Sequence, residues 1–171
     1  SKVLVTGGCG YIGSHTIVDL INNGFEVISV DNFSRSNPKI LKGIEEITGK
    51  TIQNYKVDLC DFEATKQIFE EHKDLKGIIH FAAYKLVFES VQNPLLYYRN
   101  NLNSLANILE LMQQYELQNL VFSSSCSVYG NAENLPVTEQ TPIQKAESPY
   151  AHTKQIGEAI IESFTKNYPL N

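Results

Sequence analysis

Residues 7 to 13 read Gly-Gly-Cys-Gly-Tyr-Ile-Gly, wedged between an apolar β-rich run, Lys2 to Thr6, and a segment of helical period, Tyr11 to Asn23. Glycines at a strand-to-helix junction let the backbone turn sharply, bring a ligand close, and leave the first N–H groups of the helix facing an anion. Two registers fit a dinucleotide fingerprint, Gly8-x-Gly10-x-x-Gly13 and Gly7-x-x-Gly10-x-x-Gly13. Asp31 closes the next β-rich run, Glu26 to Asp31. It stands near the spacing of about 20 residues at which an acid receives the adenosine ribose hydroxyls. Its charge would repel a 2′-phosphate, so the pattern favours NAD over NADP. Arg35 pulls the other way, but Asp31 is better placed.

The remaining segments alternate. Gly24 suits the end of the first helix, and Thr51 to Asp58 reads as a third strand after a weakly helical, variable loop. Phe62 to His72 is helical, and Lys76 to Ala82 reads as a buried strand. Asn93-Pro94 opens a long helix through about Tyr115, Leu117 to Ser124 is a fifth strand, and Ser148-Pro149 repeats the cap-plus-proline start for a last helix. Strands alternating with helices predict an α/β, Rossmann-like, doubly wound parallel sheet of order 3-2-1-4-5. Residues 1 to 171 form one NAD-binding domain by this reading. The irregular stretch Ser125 to Glu147 is long for a compact domain, and such loops often carry function.

That last helix brings in chemistry. Tyr150 and Lys154 stand four residues apart, hence on one helix face. A phenol near pKa ~10 is a poor base at neutral pH unless a cation favours its ionised form, and Lys154 is placed to be that cation. Behind a dinucleotide cradle, the pair points to hydride exchange with a hydroxyl whose proton the tyrosinate removes. Further polar residues fall at predicted strand ends, where open sheets bind ligands: Asp58-Leu59, Ala82-Ala83-Tyr84-Lys85 and Ser123-Ser124-Ser125.

Composition narrows the partners. A net charge of −5 without a basic run disfavours nucleic acid and anionic membranes. No apolar run reaches the roughly 18 residues needed to span a bilayer. Three scattered cysteines, Cys9, Cys60 and Cys126, suit a reducing, cytoplasmic setting rather than a disulfide framework. No metal is required. The long helix carries apolar residues on more than one face (Leu95, Leu96, Leu102, Leu105, Ile108, Leu109, Leu111 and Met112). A stripe left uncovered there would favour a homodimer.

With these residues in place, the chain resembles the extended short-chain dehydrogenase/reductases, most closely their UDP-galactose 4-epimerase (UDP-glucose 4-epimerase) branch. The likeness runs along the whole chain. It rests on the run Val3 to Thr16, Asp31-Asn32, Val57-Asp58-Leu59, Ile79 to Ala83, Tyr97-Tyr98-Arg99-Asn100-Asn101, Val121 to Ser125, Val128-Tyr129-Gly130 and Pro149-Tyr150-x-x-x-Lys154. The resemblance implies an NAD cofactor and a UDP-sugar substrate. It makes Tyr150 the base for the sugar 4-hydroxyl, Ser125 a hydrogen-bonding partner of that hydroxyl, and Lys154 the group that binds the nicotinamide ribose and lowers the Tyr150 pKa. The keto-sugar then turns over and takes the hydride back on its other face. By the same resemblance NAD is contacted by Gly7, Gly10, Tyr11, Ile12, Gly13, Asp31, Asn32, Asp58, Leu59, Phe81, Ala82, Ala83, Lys85, Asn100, Ser123, Tyr150 and Lys154. The sugar is contacted by Lys85, Ser125, Ser127 and Tyr150, with Val87, Glu89 and Ser90 nearby. Two helices, 94–115 and 149–166, would pair across a dimer.

Two departures stand out. Where the family loop reads Lys-Ala-Val-Gly-Glu-Ser, this chain has Lys85-Leu86-Val87-Phe88-Glu89-Ser90, so Phe88 adds bulk and loses the freedom of a glycine. Family members also continue beyond the position of Asn171 with another strand and a C-terminal substrate domain. The resemblance therefore implies an open fifth-strand edge and impaired turnover for these 171 residues alone. The rivals are a sugar-nucleotide 4,6-dehydratase or decarboxylase and a non-catalytic NAD-binding fragment. Dehydratases carry an acidic pair where this chain has Cys126-Ser127.

Overall fold

A computed structural model describes all residues from Ser1 to Asn171. Five parallel strands form one sheet in the order β3-β2-β1-β4-β5: β1 Lys2–Thr6, β2 Glu26–Val30, β3 Gln53–Tyr55, β4 Leu75–His80 and β5 Leu120–Phe122. The helices are α1 Tyr11–Asn22, α2 Lys39–Thr48, α3 Phe62–Glu71, α4 Val87–Gln92, α5 Pro94–Gln114 and α6 Pro149–Thr165. The expected doubly wound order is therefore found.

Strand alternation explains the two cores. On one face Val3, Val5 and Val27 pack with Ile17 and Ile21 of α1 and Ile44 of α2. On the other, Leu4, Ile28, Val30 and Ile78 pack with Ile68 and Phe69 of α3 and Ile108, Leu111 and Met112 of α5. Each such side chain, taken out of water, contributes roughly 1.5–3 kcal/mol.

Helix ends follow their local signals. Asp61 caps α3 by accepting from the Ala64 N–H at 3.0 Å, and Ser148 caps α6 by accepting from Ala151 N–H at 3.1 Å. Gly24, just past α1, takes φ +84°, a region open to glycine. Asn93 precedes α5 without a side-chain cap bond.

Several expectations are corrected. The weakly helical loop is a formed helix, α2, begun at Asn37-Pro38 and stopped by left-handed Gly49. The third and fifth strands are three residues each, shorter than Thr51 to Asp58 and Leu117 to Ser124. Leu117 is buried off the strand, after a turn at Glu116. The stretch at Val87 is a helix, α4, in which Phe88 is 75% exposed and has no positive φ. The edge of β5 is partly met. Asn171 donates to Gln118 O at 2.7 Å and accepts from Leu120 N–H at 3.1 Å, the pattern of a parallel ladder. The second apolar stripe of α5 is also largely covered: Leu105, Ile108, Leu109, Leu111 and Met112 are buried, Leu102 is half-buried, and only Leu95 and Leu96 are exposed.

Candidate active site

The strand register sets the site. Thr6 pairs with Val30 and His80, Val30 with Tyr55, and His80 with Phe122, so all five strands end level at their carboxyl termini. Just beyond that edge lies a cleft of about 540 Å³. It straddles β1 and β4, where the connections part to opposite faces of the sheet.

One end of the cleft is backbone. Gly7, Gly10, Tyr11, Ile12 and Gly13 line it, whereas Gly8 does not, which selects the Gly7-x-x-Gly10-x-x-Gly13 register. Gly8 serves packing instead: a Cβ there would lie 2.1 Å from Ser29 Oγ. Gly7 sits at φ +67° against the Ala82 backbone, and a Cβ on Gly13 would fall 2.2 Å from Gly7 O. Gly10 precedes helix α1 and offers no side-chain cap, so the first amides of the helix and its positive dipole end face the cleft. A Cβ at Gly7, Gly8 or Gly13 would run into the protein itself, so only glycine lets this loop turn so tightly; the tight turn and the open helix end fit the pyrophosphate of a dinucleotide.

Asp31 joins this loop to the next. Its Oδ2 accepts from Cys9 N–H at 3.0 Å, and its Oδ1 accepts from Phe33 N–H at 2.9 Å and Ser36 Oγ at 2.6 Å. Phe33 takes φ +61° to make that turn. A carboxylate has about four lone-pair sites, so capacity remains for a ribose hydroxyl. Burial, with Asp31 second, pushes the Cys9 thiol up to about 12, which leaves it an inert packing group.

The opposite end is built from side chains. Lys154, 5% exposed, donates to Ser123 O at 2.6 Å and lies 4.9 Å from the centre of the Phe122 ring. Burial pushes its ammonium down to about 8. Behind Phe122, His80 stacks at 6.2 Å; burial first, then Lys154, hold that imidazole down to about 3, so it is neutral. Gly157, one turn past Lys154, makes room for the Phe122 ring. The first turn of α6 is fixed from two helices. Tyr150 N–H donates to Ser90 Oγ at 3.1 Å, and Thr153 Oγ1 donates to Tyr150 O at 2.7 Å while accepting from Asn101 Nδ2 at 3.2 Å.

The cleft gathers the other residues singled out from the sequence. Asn32, Asp58, Leu59, Phe81, Ala82, Ala83, Lys85, Asn100, Ser123, Ser125, Tyr150 and Lys154 all line it. Four residues expected near the sugar are placed differently. Ser127 lies outside the lining and donates to Ser125 Oγ at 2.8 Å, orienting that hydroxyl from behind. Val87 is exposed on α4, outside the cleft, and Ser90 is buried beneath Tyr150. Glu89 does line the cleft but is bonded to Arg35 and Tyr97. Tyr84 and Leu86, both singled out from the sequence, line the facing wall; sequence reasoning missed Ser34 and Ser36 of the Asp31 loop and gave Tyr97 no role of its own. The loop serines had a signal, since they follow an acid at a strand end; Tyr97 stood in a recognisable motif, but its role depends on how α4 and α5 pack to set Glu89, eight residues earlier, against it.

The GDP-mannose 4,6 dehydratase family matches residues 4–171. The chain belongs to that family. Similar relatives bear another name. The UDP-glucose 4-epimerase of Bacillus subtilis is 46% identical over 159 residues, covering 93% of this chain and 46% of its own length. That of Drosophila melanogaster is 43% identical over 171 residues, covering 96% and 49%. A crystal structure of the Bifidobacterium longum UDP-glucose 4-epimerase, solved with NAD+ and UDP, superposes with a TM-score of 0.95 at 41% identity, over 97% of this chain and 49% of that one. The chain thus spans about half the length of the UDP-glucose 4-epimerases it matches.

Proposed function

We propose that the protein interconverts UDP-glucose and UDP-galactose by NAD-dependent epimerisation at C4. One observation carries this: a single cleft holds a glycine cradle with Asp31 at one end and Tyr150, Lys154 and Ser125 at the other. NAD, when bound, supplies a hydride acceptor that returns what it takes. Tyr150 removes the proton of the sugar 4-hydroxyl, and such a positioned base is typically worth ~10²–10⁴ in rate. The Lys154 ammonium, still mostly charged at neutral pH, holds the nicotinamide ribose. Ser125, oriented by Ser127, bonds the same hydroxyl.

Dehydration would need a second acid–base pair beside Ser125 to expel a hydroxyl. Cys126 and Ser127 occupy those positions, and the carboxylates of the cleft are Asp31, Asp58 and Glu89. Glu89 is committed to Arg35 and Tyr97. Epimerisation is therefore the better reading within a family named for a dehydratase.

Two further assignments belong here. No helix is long and apolar enough to cross a membrane, and three free cysteines suit a cytoplasmic setting. Two copies pair through α5 and α6, a reading supported by exposed Leu95 and Leu96 and tested by sedimentation. For the activity itself, UDP-galactose and NAD+ are incubated with the whole protein and the UDP-hexoses separated. Conversion to UDP-glucose that disappears in Tyr150→Phe is expected. Undiminished conversion by Tyr150→Phe would move the base elsewhere, and a dehydrated keto-sugar product would favour the rival.

A further inference from the structure

Arg35 and Glu89 lie 54 residues apart, line the same cleft and are joined Nη2 to Oε1 at 2.7 Å. Arg35 is four residues past Asp31, in the loop that closes the ribose end. The other cations lining the cleft, Lys85 and Lys154, belong to the β4 end and to α6. An arginine in that loop is what a 2′-phosphate would seek, since a guanidinium can meet phosphate oxygens with two parallel N–H donors.

Here the guanidinium is held elsewhere. Its end is on Glu89, and its face lies 4.6 Å from the centre of the Tyr84 ring. Both partners are fixed by α5. The second Glu89 oxygen accepts from Tyr97 O–H at 2.7 Å, and that buried hydroxyl itself accepts from Leu86 N–H at 3.0 Å. Asn101 bonds both the N–H and the C=O of Tyr84, at 2.8 and 2.9 Å. An exposed ion pair alone contributes little. This one is aimed by a buried tyrosine and closes around the only cation of the ribose end.

We propose that Glu89 is a specificity-determining residue: by holding Arg35 against α4 and Tyr84, it withholds the one cation that could accept a 2′-phosphate and leaves Asp31 to exclude it. This rests on the reading of the cleft as an NAD site. Glu89 acts through Arg35, from the opposite wall of the groove, and does not itself touch the ribose. Releasing Arg35 makes the ribose end tolerant of NADP although Asp31 is unchanged.

The experiment titrates NAD+ and NADP+ into the unmodified chain, Glu89→Gln, Glu89→Ala, Arg35→Gln and the Glu89→Gln/Arg35→Gln pair. Glu89→Gln keeps a partner for the Tyr97 hydroxyl, whereas Glu89→Ala removes it; both are expected to move the ratio of the two affinities about tenfold towards NADP+. The double variant loses that gain, and Arg35→Gln alone keeps the original preference. An unchanged ratio in both Glu89 variants, or a gain that persists without Arg35, overturns the inference. Binding of NAD+ by the unmodified chain is read separately: its absence refutes the cofactor site itself, whereas a fixed ratio with NAD+ bound refutes only the role of Glu89.

Discussion

At the glycine end of the cleft a ligand would meet backbone; at the Tyr150 end it would meet side chains. The first is set by chain conformation within one β1–turn–α1 unit, with Asp31 bonded to the Cys9 amide as its brace. The second is assembled from α4, α5, α6, β4 and β5, through bonds such as Tyr150 N–H to Ser90 and Lys154 to Ser123 O. A backbone cradle tolerates no added atom but needs few partners. A side-chain site tolerates small adjustments but depends on partners far away in sequence. Its central cation is moreover a buried charge, which costs stability so that chemistry can occur.

The sharpest break of this contrast is Gly13→Ala. Its Cβ would lie 2.2 Å from Gly7 O, a backbone atom that cannot swing away. NAD+ affinity should fall by about 100-fold or more, close to 3 kcal/mol, as read by calorimetry. Lys154→Met should do the opposite to stability. Burial holds the ammonium down to about 8 from 10.5, so the unfolded chain binds the extra proton more readily between those values. The folded state therefore gains stability as pH rises from 8 to 10.5. In the variant that slope vanishes, and stability at pH 7 should rise by about 1–3 kcal/mol in urea titrations, with turnover lost. Gly157→Ala would set a Cβ 2.8 Å from Phe122 Cζ and displace the ring beneath Lys154. Overpacking of this kind costs about 1–3 kcal/mol, and a shifted pH profile of activity would show that the ring matters to the ammonium. Ser90→Ala is the mildest. It removes one partner of the Tyr150 amide, for about 1 kcal/mol by thermal melting.

The same contrast governs what the sequence discloses. The glycine loop, Asp31, the strand order and the Tyr150–Lys154 pair were legible because they depend on local backbone and on spacing within one helix. Helix α2 was missed although Asn37-Pro38 and Gly49 bracket it, since only Ile44 of its apolar residues is buried and Gly43 interrupts the pattern. Strand ends β3 and β5 were overextended because β-propensity continues past the point where neighbouring strands stop pairing. The positions of Ser90, Ser127 and Glu89 were not legible from spacing alone. Ser90 and Glu89 take their roles from partners 60 and 54 residues away, and Ser127 from the 3₁₀ turn at Cys126–Tyr129 that folds it back onto Ser125.

On the proposed function, these strand ends bind a dinucleotide and exclude a 2′-phosphate. The most direct measurement is calorimetric titration of NAD+ and then NADP+ into the 171-residue chain. Saturable binding of NAD+ at one site per chain, with NADP+ at least about tenfold weaker, is the predicted result. No saturable binding of NAD+, or equal affinity for the two, would contradict it.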